Sequence, residues 1–368
     1  MDASERVGRG GWRARWARRV AGGLVVGAGL GALLLWGVDA ALSRELRAHH
    51  RQVRQVAAAV APSPAAAAQP DWESAGLPPP VLRYLRYAMP GGPQPPVVVE
   101  LEMAGQFRRP RSQSFSATTA RQTASSGVPA LMFDATTGIG PGLWARAWDA
   151  WIDGRMEMQA RVLSVWTVVD ERSSPALDQV SLRRWLLESP LWPQALQPGG
   201  IVHWEAVGPD RARAVARWRG LEARLLARFA PDGALLSFEA EEDGDLDTPW
   251  HGSGEHVARG DYRWVDGVRL PMAFRISRQA AGQRYPFWDG RVTQIQIRRQ
   301  PARAGVGQSA AVDGQAALNP APDAADLQRM CGASLVSSGS RPRANPICVC
   351  SKAGSLAKAV ASGSPLAA

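Results

Sequence analysis

From Val20 to Val38 the chain reads VAGGLVVGAGLGALLLWGV, nineteen residues without a charge, bounded by Arg19 and Asp39. A helix of this length crosses the hydrocarbon core of a bilayer, and a helix lets a single span satisfy its own backbone polar groups there. Because a secretory signal has a shorter apolar region, of about 7 to 15 residues, a retained membrane helix is the first expectation. Cleavage at the small-x-small sequence Val38-Asp39-Ala40 is the alternative. Six Arg precede the span and four follow within eighteen residues. The positive-inside rule therefore puts the N-terminus in the cytoplasm and the body outside it.

Gly23, Gly27 and Gly31 share one helix face, where missing side chains let two backbones approach. A homodimer contact is one reading and the ordinary abundance of Gly in membrane helices is the other. Leu42, Leu46, His49, Val53, Val56 and Val60 then follow spacings of 4, 3, 4, 3 and 4, the stripe of a short amphipathic helical stalk. AAAVAPSPAAAAQP at 57–70 has three Pro and no hydrophobic period, so it reads as a linker. The expected organisation is a basic cytoplasmic segment at 1–19, a span at 20–38, stalk and linker at 39–70, a folded body at 71–300 and a tail at 301–368. The tail is rich in Ala, Gly, Ser and Pro without period, which predicts disorder. It carries all three Cys, at 331, 348 and 350, an odd number with no metal-site spacing.

The formal charge of +10 belongs mostly to the ends: residues 57–300 hold 27 basic and 26 acidic side chains. A nucleic-acid-binding fold would concentrate basic charge on the body, so that class is excluded.

Within the body, Val97, Val99, Leu101 and Met103 alternate with Glu100 and Glu102, the period of a half-buried strand. Similar segments follow at 114–123, 130–136, 155–169, 201–207, 211–219, 221–230, 234–242, 261–265, 268–277 and 290–299. Pro231-Asp232-Gly233 and Asp266-Gly267 read as hairpin turns, which makes sequential pairing antiparallel. Helices are expected just after Leu77, where prolines open an apolar pattern, and at 182–188, with Asp178 or Ser181 as N-cap and Pro190 as stop. The predicted fold class is α+β, mainly β: a curved antiparallel sheet, or half-barrel, covered on its concave side by short helices.

The blocks LPPPVLRYLRY (77–87), SPLWPQAL (189–196), VHWE (202–205), TPW (248–250), DYR (261–263) and GVRLP (267–271) together resemble an uncharacterised bacterial domain-of-unknown-function family. The likeness covers about residues 75–298 and implies no activity. Its members often carry an N-terminal membrane helix, which implies the bacterial plasma membrane with the body extracytoplasmic. The expected sheet is similar to the half-barrel of bacterial lipoprotein carriers, an analogy of fold that supplies a hypothesis and not a function.

Twelve of the fifteen Trp lie in the body. Aromatics on a curved sheet form a site for an acyl chain, with Arg at its mouth for an anionic headgroup; ordinary core packing is the competing reading. The candidate ligand residues are Arg83, Tyr84, Trp192, Trp204, Arg217, Trp250, Tyr262 and Trp288. No cofactor motif is present. Asp243-x-Asp245-x-Asp247 lacks the Gly and the twelfth-position Glu of a calcium loop, and His251 and His256 lack the spacing of a helical zinc pair. Ser253 lacks a nucleophile elbow, and Gly138, Gly140 and Gly142 lack the Lys-Ser/Thr of a phosphate loop, so they read as a turn. The chain is therefore expected to bind an apolar or amphipathic ligand at the membrane and not to catalyse. The alternatives are a protein-interaction module of the envelope and an enzyme with a dispersed acid/base site such as Glu205, Asp261 and Arg217.

Overall fold

The computed structural model describes residues 8–59, 71–108, 112–244, 246 and 254–299. Thirteen strands form one antiparallel sheet: β1 (Val97–Phe107), β2 (Ser116–Ser125), β3 (Ala130–Gly140), β4 (Leu143–Ile152), β5 (Arg155–Val162), β6 (Trp166–Arg172), β7 (Val202–Ala206), β8 (Arg211–Trp218), β9 (Leu221–Phe229), β10 (Leu235–Glu239), β11 (His256–Val265), β12 (Val268–Ala280) and β13 (Gln283–Arg299). Their order across the sheet is 6-5-4-3-2-1-13-12-11-10-9-8-7. Neighbours in sequence are neighbours in space except where β13 closes onto β1 and where β6 and β7 end as the two edges. The sheet curls into the expected half-barrel.

Both anticipated hairpin turns form. At Asp266-Gly267 both residues have positive φ, 48° and 81°, the primed turn whose twist suits two adjoining strands. The segment 155–169 is two strands and not one, broken at Leu163 and Ser164, which take φ values of 52° and 62°. Gly138 and Gly140 end β3, and Pro141-Gly142 makes the turn into β4. No period-two signal marks β4 because both of its faces are covered. Asp149 and Trp151 are buried on one face, and Trp148 and Ala150 on the other.

Helix α2 (Pro79–Ala88) buries Val81, Tyr84, Leu85 and Ala88. Helix α3 (Pro175–Glu188) begins earlier than the sequence suggests, capped by Ser174, whose hydroxyl accepts from the Leu177 amide at 3.2 Å. Both helices, with the 3₁₀ turns Ser189–Leu191 and Pro193–Leu196, join the concave core of Trp185, Trp192, Leu225 and Phe238.

Helix α1 (Gly8–Ala59) runs uninterrupted through the apolar span and the segment expected to be a stalk. It contains the one helix among the described residues that is long and apolar enough to cross a membrane. Its C-terminal half lies on the convex face, where Leu42, Leu46 and Val53 pack on Ala130, Met132, Trp148, Ala150 and Ile152. The 4-3 stripe is thus buried against the sheet, each Leu or Val contributing about 1.5 to 3 kcal/mol. Polar contacts fix its register. Arg146 donates to Asp39 at 3.1 Å and to Ser43 at 3.3 Å, His50 bridges Thr123 and Asp134 at 2.8 Å each, and Arg54 donates to Glu100 at 2.8 Å. Residues 57–59, expected to open the linker, are the end of α1; the rest of the linker, 60–70, and the tail with its three Cys lie outside the described residues.

Candidate functional site

On the concave face, the helices fill the half of the sheet from β7 to β12. The half from β1 to β6, with β12 and β13 as its wall, encloses a cavity of about 1000 Å³. Its room comes from small side chains in register. Ala120, Ala135, Ala147 and Ala160 are successive cross-strand partners on β2, β3, β4 and β5, so a row of methyl groups crosses four strands where larger residues would take up the space. Ala135, Ala147 and Ala160 line the cavity, and Phe133, Ile139, Val162, Phe274, Phe287 and Trp288 form apolar walls around them. The ring of Trp288 stands 5.5 Å from that of Phe274 and 6.5 Å from that of Phe107, so it is fixed before any ligand arrives.

The base is polar. Arg184 on α3 donates to Asp149 on β4 and, at 2.9 Å, to Glu188, whose other oxygen accepts from Gln122. Burial alone would lower the pKa of this guanidinium, but Glu188 and Asp149 outweigh it and hold the group above the usual Arg value. Its guanidinium also lies over the Phe133 ring at 4.8 Å.

Arg259 on β11 has less support. It is 6 % exposed, its Nε has no partner, and among the described residues its hydrogen bond goes from Nη2 to the Leu187 carbonyl at 3.4 Å. Burial pulls its pKa below the usual Arg value, with Glu188 opposing. It is a cation on the cavity wall with donors to spare.

Of the eight candidate ligand residues, Trp288 lines this cavity. Tyr84 and Trp192 are fully buried in the helix-filled half, packed on Phe229 and Trp185. Trp204 donates to the Leu196 carbonyl at 2.9 Å and Tyr262 to the Leu235 carbonyl at 2.7 Å. Arg83 donates to the Pro209 carbonyl at 2.9 Å, and Arg217 pairs with Glu222 at 2.6 Å on the surface. Trp250 lies outside the described residues, as do Asp245, Asp247, His251 and Ser253. The three residues weighed for acid/base work stand in separate ion pairs: Glu205 with Arg213, Asp261 with Arg263, and Arg217 with Glu222. Among the described residues no cluster of three or more His, Cys, Asp or Glu could hold a metal ion.

Arg184, Arg259 and the alanine row were not legible as a site, because each depends on strand register and not on local spacing. The one visible hint was period-two alanine at 145 and 147, whose meaning needed the pairing that sets Ala147 opposite Ala135.

The family model of DUF6920, a family of unknown function, matches residues 75–297. The chain belongs to that family. The DUF6920 region starts at α2 and ends near the close of β13, so it takes in the whole sheet and the cavity and leaves out α1. No curated protein matches the chain. Among solved structures it is similar to a LolA superfamily protein from Nitrosomonas europaea, at 9 % identity over 60 % of this chain and 93 % of that one, with a TM-score of 0.27.

Proposed function

We propose that this DUF6920 protein is a membrane-tethered binding domain, outside the cytoplasm, that holds an acyl chain of a lipid or lipoprotein in the concave cavity. The observation that carries the reading is the cavity itself. Its volume, about 1000 Å³, is at the upper end of ligand sites, its walls are largely apolar, and Asp149, Arg184, Glu188 and Arg259 gather as buried charged groups in its depth. The chain lies along the alanine row against Phe133, Phe287 and Trp288, and an anionic group at its end meets Arg259, whose unused donors suit a carboxylate or phosphate.

Binding accounts for these groups better than catalysis does. Asp149 and Glu188 are both engaged by Arg184, which leaves neither carboxylate free to move a proton. The tether serves such a role because ligand and site then share one surface, which raises their effective concentration.

The test is photo-crosslinking of the full chain in detergent with a diazirine-bearing fatty acid, mapped by peptide mass spectrometry. Adducts on β3 and β13, at Phe133, Ile139 or Phe287, are expected. Adducts confined to residues 20–38 would refute the reading.

A further inference from the structure

We infer that the mouth of the cavity faces the bilayer crossed by α1, so that a lipid passes between membrane and site without entering water. This goes beyond the proposed binding function, because it concerns where the opening lies and not what the cavity holds.

Strand direction defines the two ends of the sheet. The connections β1–β2, β3–β4, β5–β6 and β12–β13 all lie at one end, as the antiparallel register requires. The exposed members of the cavity lining lie there too: Gln113 before β2, Val168 on β6, and Leu246 in the β10–β11 connection. The buried members, Asp149, Arg184, Glu188 and Arg259, lie deeper. The opening is therefore at the turn end.

Helix α1 ties that same end to the membrane. Ser164, in the β5–β6 turn, donates to Asp39 at 2.6 Å, and Trp144 at the start of β4 donates to Ser164 at 3.2 Å. Asp39 is the first residue after the uncharged span, and Trp36 stands three positions before it, about 4.5 Å along the helix axis. Trp is the residue that marks membrane interfaces. Further along α1, His50 meets Asp134 midway along β3 and Thr123 near the far end of β2, so the helix leads away from the turn end as it leaves the span. Large exposed apolar side chains lie at this same end: Val168 on the cavity lining, with Leu143, Val165 and Trp166 beside it at the β3–β4 and β5–β6 turns, Trp166 being 76 % exposed. Exposed apolar groups rimming a cavity mark a surface that meets an apolar partner, and here the continuous helix specifies a lipid surface as that partner.

The experiment uses the full chain in phosphatidylcholine/phosphatidylglycerol vesicles, with Cys331, Cys348 and Cys350 changed to Ser. A nitrobenzoxadiazole fluorophore is attached at Val165→Cys, at Leu143→Cys, or at Asp153→Cys in the β4–β5 turn of the opposite end. These ends are about 26 Å apart along the eight residues of β5. Lipids spin-labelled near the headgroup are expected to quench the labels at 165 and 143 several-fold more than the label at 153. Equal weak quenching at all three positions, or stronger quenching at 153, overturns the inference. Quenching reports depth alone, so its failure would leave the crosslinking result standing, and a failed crosslink would leave the depth result standing. Two independent rim labels guard against one variant failing to fold.

Discussion

The hydroxyl of Ser164 donates to the carboxylate of Asp39 across 2.6 Å, which joins the first residue after the apolar span to a turn of the β sheet. Arg146 donates to the same carboxylate at 3.1 Å, and also reaches Asp134 at 3.5 Å, so a half-buried ionic cluster closes the gap between helix and sheet. The body of the protein is therefore fixed to its long N-terminal helix and does not hang from it.

Asp39→Ala removes the acceptor shared by Ser164 and Arg146. Hydrogen bonds to a charged group are worth about 1.5 to 3 kcal/mol, and part of that is lost here because Asp39 is partly solvated. Hydrogen exchange over residues 39–57 should accelerate in Asp39→Ala while β8 and β9 keep their protection. Unchanged exchange in that segment would mean that apolar packing alone holds the helix.

Ala147→Phe places a ring in the middle of the alanine row, where the cavity leaves space. Filling a pre-existing cavity avoids the overpacking strain of a dense core, so Tm should stay within a few degrees of the wild type while fatty-acid crosslinking falls at least several-fold. Undiminished crosslinking at Phe133 and Phe287 would show that the ligand binds without using the alanine row.

Arg259→Met replaces a buried and poorly paired cation with an apolar side chain of similar length. Such replacements are often neutral or stabilising, by about 1 to 4 kcal/mol. The ligand-free protein should melt at the same temperature or higher, while competition by free fatty acid against its methyl ester, favourable to the acid in the wild type, should become even. A large loss of stability would show that the cation belongs to the core and not to the site.

His256 opens β11 with its Nδ1 unpartnered, and it is 7 % exposed. Burial, aided by the charge of Arg284 and opposed by Glu239, lowers its pKa from 6.5 to about 4. A folded pKa below the unfolded one means that the unfolded chain takes up the proton first. The neutral-imidazole fold is thus fully stable above pH 6.5 and loses stability as pH falls toward 4, by about 2 kcal/mol between pH 6.5 and 5. Urea titrations at pH 7 and pH 5 should show that difference in the wild type and a smaller one in His256→Asn. Parallel losses in both proteins would assign the acid sensitivity to carboxylates.

Most of the architecture could be read from local pattern. Val97 to Met103 alternate because β1 is covered on one face, and Asp266-Gly267 marks a hairpin because both of its residues must take positive φ. β4 escaped notice because α1 covers its second face and erases the alternation. The Trp residues drew attention as a ligand site, yet Trp148, Trp185 and Trp192 are fully buried packing elements and Trp288 is the one among the described body residues that lines the cavity.

The sequence by itself determined that a helix of membrane-crossing length precedes an antiparallel β domain, because an uncharged run and a period of two are local properties of the chain. Only the tertiary structure decided which residues meet in the cavity. Three alanines from three strands become one cavity wall only through register, Arg184 of α3 and Arg259 of β11 meet there only because helix and strand pack together, and the β5–β6 turn meets the end of the apolar span through the hydrogen bond of Ser164 to Asp39.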